Sequence, residues 1–168
     1  EMAIEANLPA SATAIAASVA FDPTNVASYN NATSATVFDA QGNEVALTYY
    51  FRKDAANDWT VYALPEGETV PQTFSLSFGS TGATPTITPA TPTVTVANPP
   101  STGALSIALD LSQITQYGTS FGVTDLTQDG YAPGQLVSVA IEANGTITAR
   151  FSNSETMAAG TVQLVTFR

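Results

Sequence analysis

The chain has 168 residues, 44% of them hydrophobic and 11% charged, and its 14 acidic and 4 basic residues give a net charge of −10. That length can bury a real core as one ordinary domain or two small ones, while so acidic a chain offers nothing to nucleic acid or anionic membrane, both of which reward Lys and Arg clusters. Cys and His are absent, which removes disulfides, thiolate metal sites, Cys nucleophiles and the commonest general base; no run approaches the roughly 20 apolar residues of a membrane helix.

The charged fraction lies well below the usual quarter, so Ser, Thr, Asn and Gln must cover the surface. Such a weakly charged, Thr-rich surface suits an extracellular protein that touches copies of itself. The opening residues, Glu1 to Asn7, have neither a basic start nor an apolar signal core. They read as the middle of a strand, and the chain is expected to be a piece of something longer.

Period-two patterns dominate along the chain, the signature of strands. Residues 34–38 and 45–52 are β-prone runs around Asp39-Ala40-Gln41-Gly42-Asn43, which predicts a hairpin. Asp39 suits the turn because it accepts bonds from the backbone two residues on, and Gly42 because it takes positive φ. A second turn at 53–58 leads into a strand at 59–63, making a meander with Tyr50, Trp59 and Tyr62 as cross-strand aromatic partners. Residues 73–79 alternate, so Phe74, Leu76 and Phe78 should share a face. The stretch 80–103 is rich in Thr, Pro, Gly and Ser; its prolines lack an N–H and break regular pairing, which predicts an extended surface segment with a short edge strand at 93–96. A strand follows at 105–111, a short turn or helix at 114–117, and a strand at 120–126. In the tail, 135–143 and 146–152 flank Asn144-Gly145, a two-residue hairpin signal, and 161–167 supplies a third strand. The fold class expected is all-β: an antiparallel β-sandwich or barrel-like domain plus part of a second small β domain.

Few residues invite a chemical role. Asp54 with Asp58, or Asp125 with Asp129, are spaced as paired carboxylates for glycoside hydrolysis, yet both pairs lie in turn-like sequence where Asp bonds its own backbone. Asp39, Asn43 and Glu44 offer oxygen ligands for calcium, and Asp125 to Gly130 resembles a calcium loop without its later bidentate Glu. Tyr49, Tyr50, Phe51, Trp59 and Tyr62 form a possible sugar-stacking platform, against the plainer reading that alternate members are core. Asn31-Ala32-Thr33 and Asn144-Gly145-Thr146 are glycan sequons in a eukaryotic secreted context. Ser is plentiful, but Lys53 sits in a charged turn with no Ser-x-x-Lys before it. No catalytic, cofactor-binding or metal residue is assigned, no cofactor is expected, and the chain is read as a non-enzyme.

Two blocks carry a family likeness. The first is Ser28-Tyr29-Asn30, then Thr36-Val37-Phe38-Asp39-Ala40-Gln41-Gly42-Asn43, Tyr49-Tyr50-Phe51 and Trp59-Thr60-Val61-Tyr62. The second is Gln128-Asp129-Gly130-Tyr131-Ala132-Pro133-Gly134-Gln135-Leu136, then Asn144-Gly145-Thr146, Phe151-Ser152-Asn153 and the closing 159–167. In order and spacing they resemble the bacterial flagellar hook proteins, with 65–119 as the variable part; Ala159 and Thr166 depart from the family pattern. The resemblance implies an outer domain at 9–132, with 1–8 and 133–168 belonging to an adjoining inner β domain, and Pro9 and Pro133 stiffening the two crossings. It implies a structural subunit of the extracellular hook, the flexible universal joint that passes torque from motor to filament, exported through the flagellar type III pathway. Implied partners are copies of itself in a homopolymer, the hook cap, the distal rod and the hook–filament junction proteins; the terminal helical segments are missing from this piece, which alone should be a monomer. The alternative from another class is a secreted carbohydrate-binding or adhesin-type β module.

Overall fold

The computed structural model describes residues 1–39, 41–97 and 103–162. Thirteen strands are ordered along it: β1 (Met2–Pro9), β2 (Asn31–Phe38), β3 (Glu44–Lys53), β4 (Asp58–Pro65), β5 (Gln72–Ser77), β6 (Thr86–Thr88), β7 (Thr93–Val96), β8 (Leu105–Asp110), β9 (Thr115–Tyr117), β10 (Gly122–Gln128), β11 (Leu136–Ile141), β12 (Thr146–Phe151) and β13 (Thr156–Thr161). The all-β expectation holds. One five-stranded sheet runs β2-β3-β4-β5-β6; a second runs β10-β1-β8-β7 with β9 beside β1; β11-β12-β13 form a separate sheet.

The first sheet is a meander whose register follows from alternation. Leu47, Tyr49 and Phe51 of β3 point inward with Trp59, Val61 and Ala63 of β4 and Phe74 and Leu76 of β5, because successive side chains of a strand face opposite sides. Phe74, Leu76 and Phe78 are all buried, as the alternation at 73–79 predicts. From the second sheet come Met2, Ile4, Leu8, Val94, Val96, Ile107 and Leu109, all in the same cluster. Each fully buried side chain of this size contributes about 1.5–3 kcal/mol, so the body formed by β1–β10 carries a core adequate to its length.

Polar groups stitch the two sheets together. The indole Nε1 of Trp59 donates to Gln116 Oε1 at 2.6 Å, and the Gln116 amide donates to Asn57 Oδ1 and the Ala56 carbonyl. The Tyr49 hydroxyl donates to the Met2 sulfur at 3.1 Å. At the open side of β7, Gln72 behaves as a surrogate peptide group: its amide donates to the Thr95 carbonyl at 2.6 Å and its oxygen accepts the Thr95 N–H at 2.8 Å. Glu68 accepts the Ala97 N–H in the same way. These side chains occupy edge groups that would otherwise recruit another strand.

β1 packs within the body: Met2–Asn7 pair with β10, and Met2, Ile4, Ala6 and Leu8 lie in the common core. Several expectations are corrected. At 114–117, Ile114 closes a turn onto Leu111 and Thr115–Tyr117 continue as a strand parallel to Asn7–Pro9. The β1–β8 pairing is also parallel, so the body is not purely antiparallel. The terminal sheet takes its third strand from Thr156–Thr161; the tail strand expected at 161–167 lies, from residue 163 on, outside the described residues. The edge strand expected at 93–96 is present, but Val94 and Val96 are core residues. Lys53, expected in a charged turn, ends β3 and is buried. Its stem lies over the Trp59 ring with Nζ 5.6 Å from the centroid, and Nζ donates to the Ala10 carbonyl.

Two outcomes test this packing. Gln116→Ala leaves the buried Trp59 N–H without its acceptor and should cost about 1–3 kcal/mol by urea unfolding, whereas Gln116→Ala in a Trp59→Phe background should cost clearly less; equal costs in both backgrounds would show that the bond is not the cause. Burial pushes the Tyr49 phenol well above its ordinary value. An unfolded phenol ionises near 10, so the contribution of the neutral buried form is complete below about pH 10 and is lost as pH rises beyond it. Unfolding midpoints of the parent should therefore fall more steeply above that pH than those of Tyr49→Phe.

Candidate functional surface

The aromatic residues singled out by sequence do not form one platform. Tyr49, Phe51 and Trp59 face the core and are 0–1% exposed. Tyr50 and Tyr62, directly paired across β3 and β4, face the other way. They are covered by a segment in which the sequence signals no element: residues 10–30 fold back as a strap over the outer face of β3 and β4. Phe21 stacks on Tyr62 with ring centroids 3.9 Å apart and planes 4° from parallel, and meets Tyr50 edge-on at 5.3 Å; Tyr29 meets Tyr50 at 4.8 Å. The flat face a sugar would stack on is thus taken by the chain's own phenyl ring. Burial, and secondarily the neighbouring Tyr29, raises the Tyr50 phenol above its ordinary value.

Two of the chain's few cations hold the strap. Arg52 donates through Nη1 to the Val19 carbonyl at 2.8 Å and through Nη2 to the Ala16 carbonyl at 3.1 Å, while its Nε lies 3.0 Å from Asp54 Oδ1. Asn30 adds a bond to the Thr13 carbonyl and accepts the Lys53 N–H. The signal for this was in the sequence only as an oddity, two adjacent basic residues closing a strand in a chain nearly without them.

The candidate acids are spent on local structure. Asp54 bonds the Thr60 hydroxyl and pairs with Arg52; Asp58 accepts from Ser77; Asp125 accepts the N–H of Leu126; the Asp129 N–H donates to the Glu1 carbonyl beside the start of β1. Hydrogen bonds from the hydroxyl and N–H of Thr24 hold the Asp22 carboxyl below its ordinary value, and the N–H of Ser112 does the same for Asp110. Asp39 is buried and accepts the N–H groups of Gln41 and Asn43 and the Asn43 amide, the turn role that its sequence implies; Glu44 is exposed at the start of β3. Among the described residues no group of three or more His, Cys, Asp or Glu is placed to hold a metal ion. Asn31 starts β2 paired with Phe51, and Asn144 accepts the Thr146 N–H in its hairpin turn.

Acidic side chains such as Glu5, Asp22, Glu44 and Glu66 are exposed, but the outward faces of β2, β5, β6 and β7 are uncharged and hydroxyl-rich. Ser34 and Thr36 of β2, Thr73, Ser75 and Ser77 of β5, Thr86 and Thr88 of β6, and Thr93 and Thr95 of β7 are exposed. Large apolar side chains are exposed elsewhere: seven of the ten in the described residues lie between Tyr131 and Val162, five of them on β11 and β13. Both flanking strands of the terminal sheet are exposed along their whole length.

These features find a counterpart in known proteins. The family model described as flagellar basal body protein FlaE D2 domain matches residues 7–131. The flagellar hook protein FlgE of Escherichia coli (strain K12) is 31% identical over 153 residues, covering 88% of this chain and 37% of that protein. FlgE of Rhizobium meliloti (strain 1021) is 32% identical over 131 residues, covering 73% and 32% respectively. The chain therefore spans only 32–37% of these relatives' length. The crystal structure of Helicobacter pylori flagellar hook protein FlgE2 superposes with a TM-score of 0.54 at 16% identity, covering 79% of this chain and 32% of that one, which shows a shared fold. The chain belongs to the FlgE D2 family.

Proposed function

We propose that this chain forms the outer part of a flagellar hook subunit, a structural role in an extracellular homopolymer that bends while transmitting torque. The observation that carries the reading is the uncharged, hydroxyl-rich outward face presented by β2, β5, β6 and β7. Subunits of a bending tube must exchange contacts as protofilaments lengthen and shorten. Hydroxyl and amide contacts are remade in either register at small cost, whereas close charge pairs fix register and suppress alternatives. The strap and the side-chain caps on β7 make the body stiff, as a load-bearing element requires. Export through the flagellar type III pathway, and contacts with hook cap, distal rod and hook–filament junction proteins, belong to the same proposal and rest on family membership.

Within the chain, the proposed outer domain ends near residue 132 and residues 133–168 contribute to an inner β domain. Support comes from the terminal sheet, whose apolar strands are uncovered although such patches are normally buried or serve as interaction sites. Alone, the chain is proposed to be a monomer, with its net charge and the capped β7 edge opposing association.

Introducing several charges on the exposed hydroxyl faces of β2, β5 and β7 in the full-length hook protein should change hook curvature in electron micrographs, while each shifts stability by no more than about 0.5 kcal/mol; unchanged curvature with intact folding would contradict the proposal. Ending the chain after residue 132 should leave a monomer that unfolds cooperatively at nearly the parental urea midpoint. A large loss of stability would show that the terminal sheet belongs to the body.

A further inference from the structure

The six residues that join the body to the terminal sheet, Gly130 to Gln135, are gripped at both ends. On the body side the grip is the turn between β2 and β3. Gly42 has φ +79°, and a Cβ built on it would lie 2.5 Å from Pro133 Cγ and 2.6 Å from its Cδ. The pyrrolidine ring of Pro133 therefore rests on the bare backbone of Gly42, with its other side open to solvent. Upstream, the Gly130 backbone passes Phe38 closely enough that a Cβ would stand 3.5 Å from its N and O atoms. The seat itself is braced. The buried carboxylate of Asp39 accepts the Gln41 N–H at 2.8 Å and the Asn43 N–H at 2.9 Å, and the Gly42 N–H donates to the Asp39 carbonyl at 2.9 Å.

On the terminal-sheet side the grip is the turn after β12. Asn153 Nδ2 donates to the Ala132 carbonyl at 2.9 Å. The Ser152 N–H donates to the Gln135 carbonyl at 2.8 Å, and the Gln135 N–H to the Ser152 hydroxyl at 3.0 Å. Gly134 lies flush against Asn153 and Phe151. A connection that is bonded at both ends and carries a ring with fixed φ has little freedom left.

From this geometry we propose that the β2–β3 turn is a docking seat for Pro133, and that seat, proline and Asn153 together form a clamped joint that sets the angle between the body and the terminal sheet. The joint turns two β units into one stiff lever instead of two beads on a tether. It explains why a side chain is excluded at residue 42 by two separate causes, the left-handed backbone and the proline above it. This holds whatever the chain assembles with, and so goes beyond the hook proposal.

The test is solution NMR on the 168-residue chain. Cross-relaxation between the Pro133 ring protons and the Gly42 Hα protons should be observed, and amides 130–135 should have order parameters near 0.85, the value of rigid backbone. Pro133→Ala and Asn153→Ala should each lower those order parameters toward 0.6 or below while leaving the Trp59 indole resonance of the body unshifted. Gly42→Ala should do the same, and because it also strains the turn, Pro133→Ala keeps the test valid if that variant misfolds. Absent cross-relaxation in the parent, or linker order unchanged in Pro133→Ala, would overturn the proposal.

Discussion

An indole can be buried only where its N–H finds an acceptor, since an unpaired buried donor costs more than the burial of a few methylenes returns. In this chain the acceptor is Gln116, and much of the architecture is arranged around that need. Gln116 stands on β9, β9 lies against β1, and β1 brings Met2, Ile4 and Leu8 over the face of Tyr49 and Trp59. The same glutamine gathers the turn at Ala56 and Asn57 and, through its backbone N–H, the loop at Gly82. One residue, through its side chain and its backbone N–H, thus ties the meander, the second sheet and two loops into a single body.

That economy leaves the outside free for another use. Arg52 and Lys53 are drawn inward to hold the strap, and most candidate acids are absorbed by turns and local pairs. The outward faces of β2, β5, β6 and β7 are left largely to Ser and Thr.

Strand positions were legible where alternation was clean, as at Phe74, Leu76 and Phe78, or where turn chemistry was explicit, as at Asp39, Gly42 and Asn144-Gly145. Period two reports a half-buried strand but not its partners. For that reason β1 is recognisable as strand-like from its own residues, whereas its long-range pairing with β8, β9 and β10 is encoded in no local pattern. The strap was invisible because it is irregular backbone, held by carbonyls bonded to Arg52 and by a ring stacked on Tyr62. The aromatic platform failed for the complementary reason. Alternation sends Tyr49, Phe51 and Trp59 to one face and Tyr50 and Tyr62 to the other, and the sequence gives no warning that Phe21, far away in the chain, covers the second pair. Family likeness implies a crossing at Tyr131 to Gly134, but no pattern in the sequence shows that Pro133 comes to lie on Gly42.

The central claim is that β1–β10 form one cooperative body, β1 included, with the terminal sheet outside it. Residue-resolved amide hydrogen exchange tests this most directly. Core amides of β1, β3, β4 and β8 should exchange only through global unfolding, with one shared free energy, and those of β11–β13 should exchange at lower free energy. If β1 instead exchanged together with β11–β13 and independently of β3 and β4, the single-body account would be contradicted.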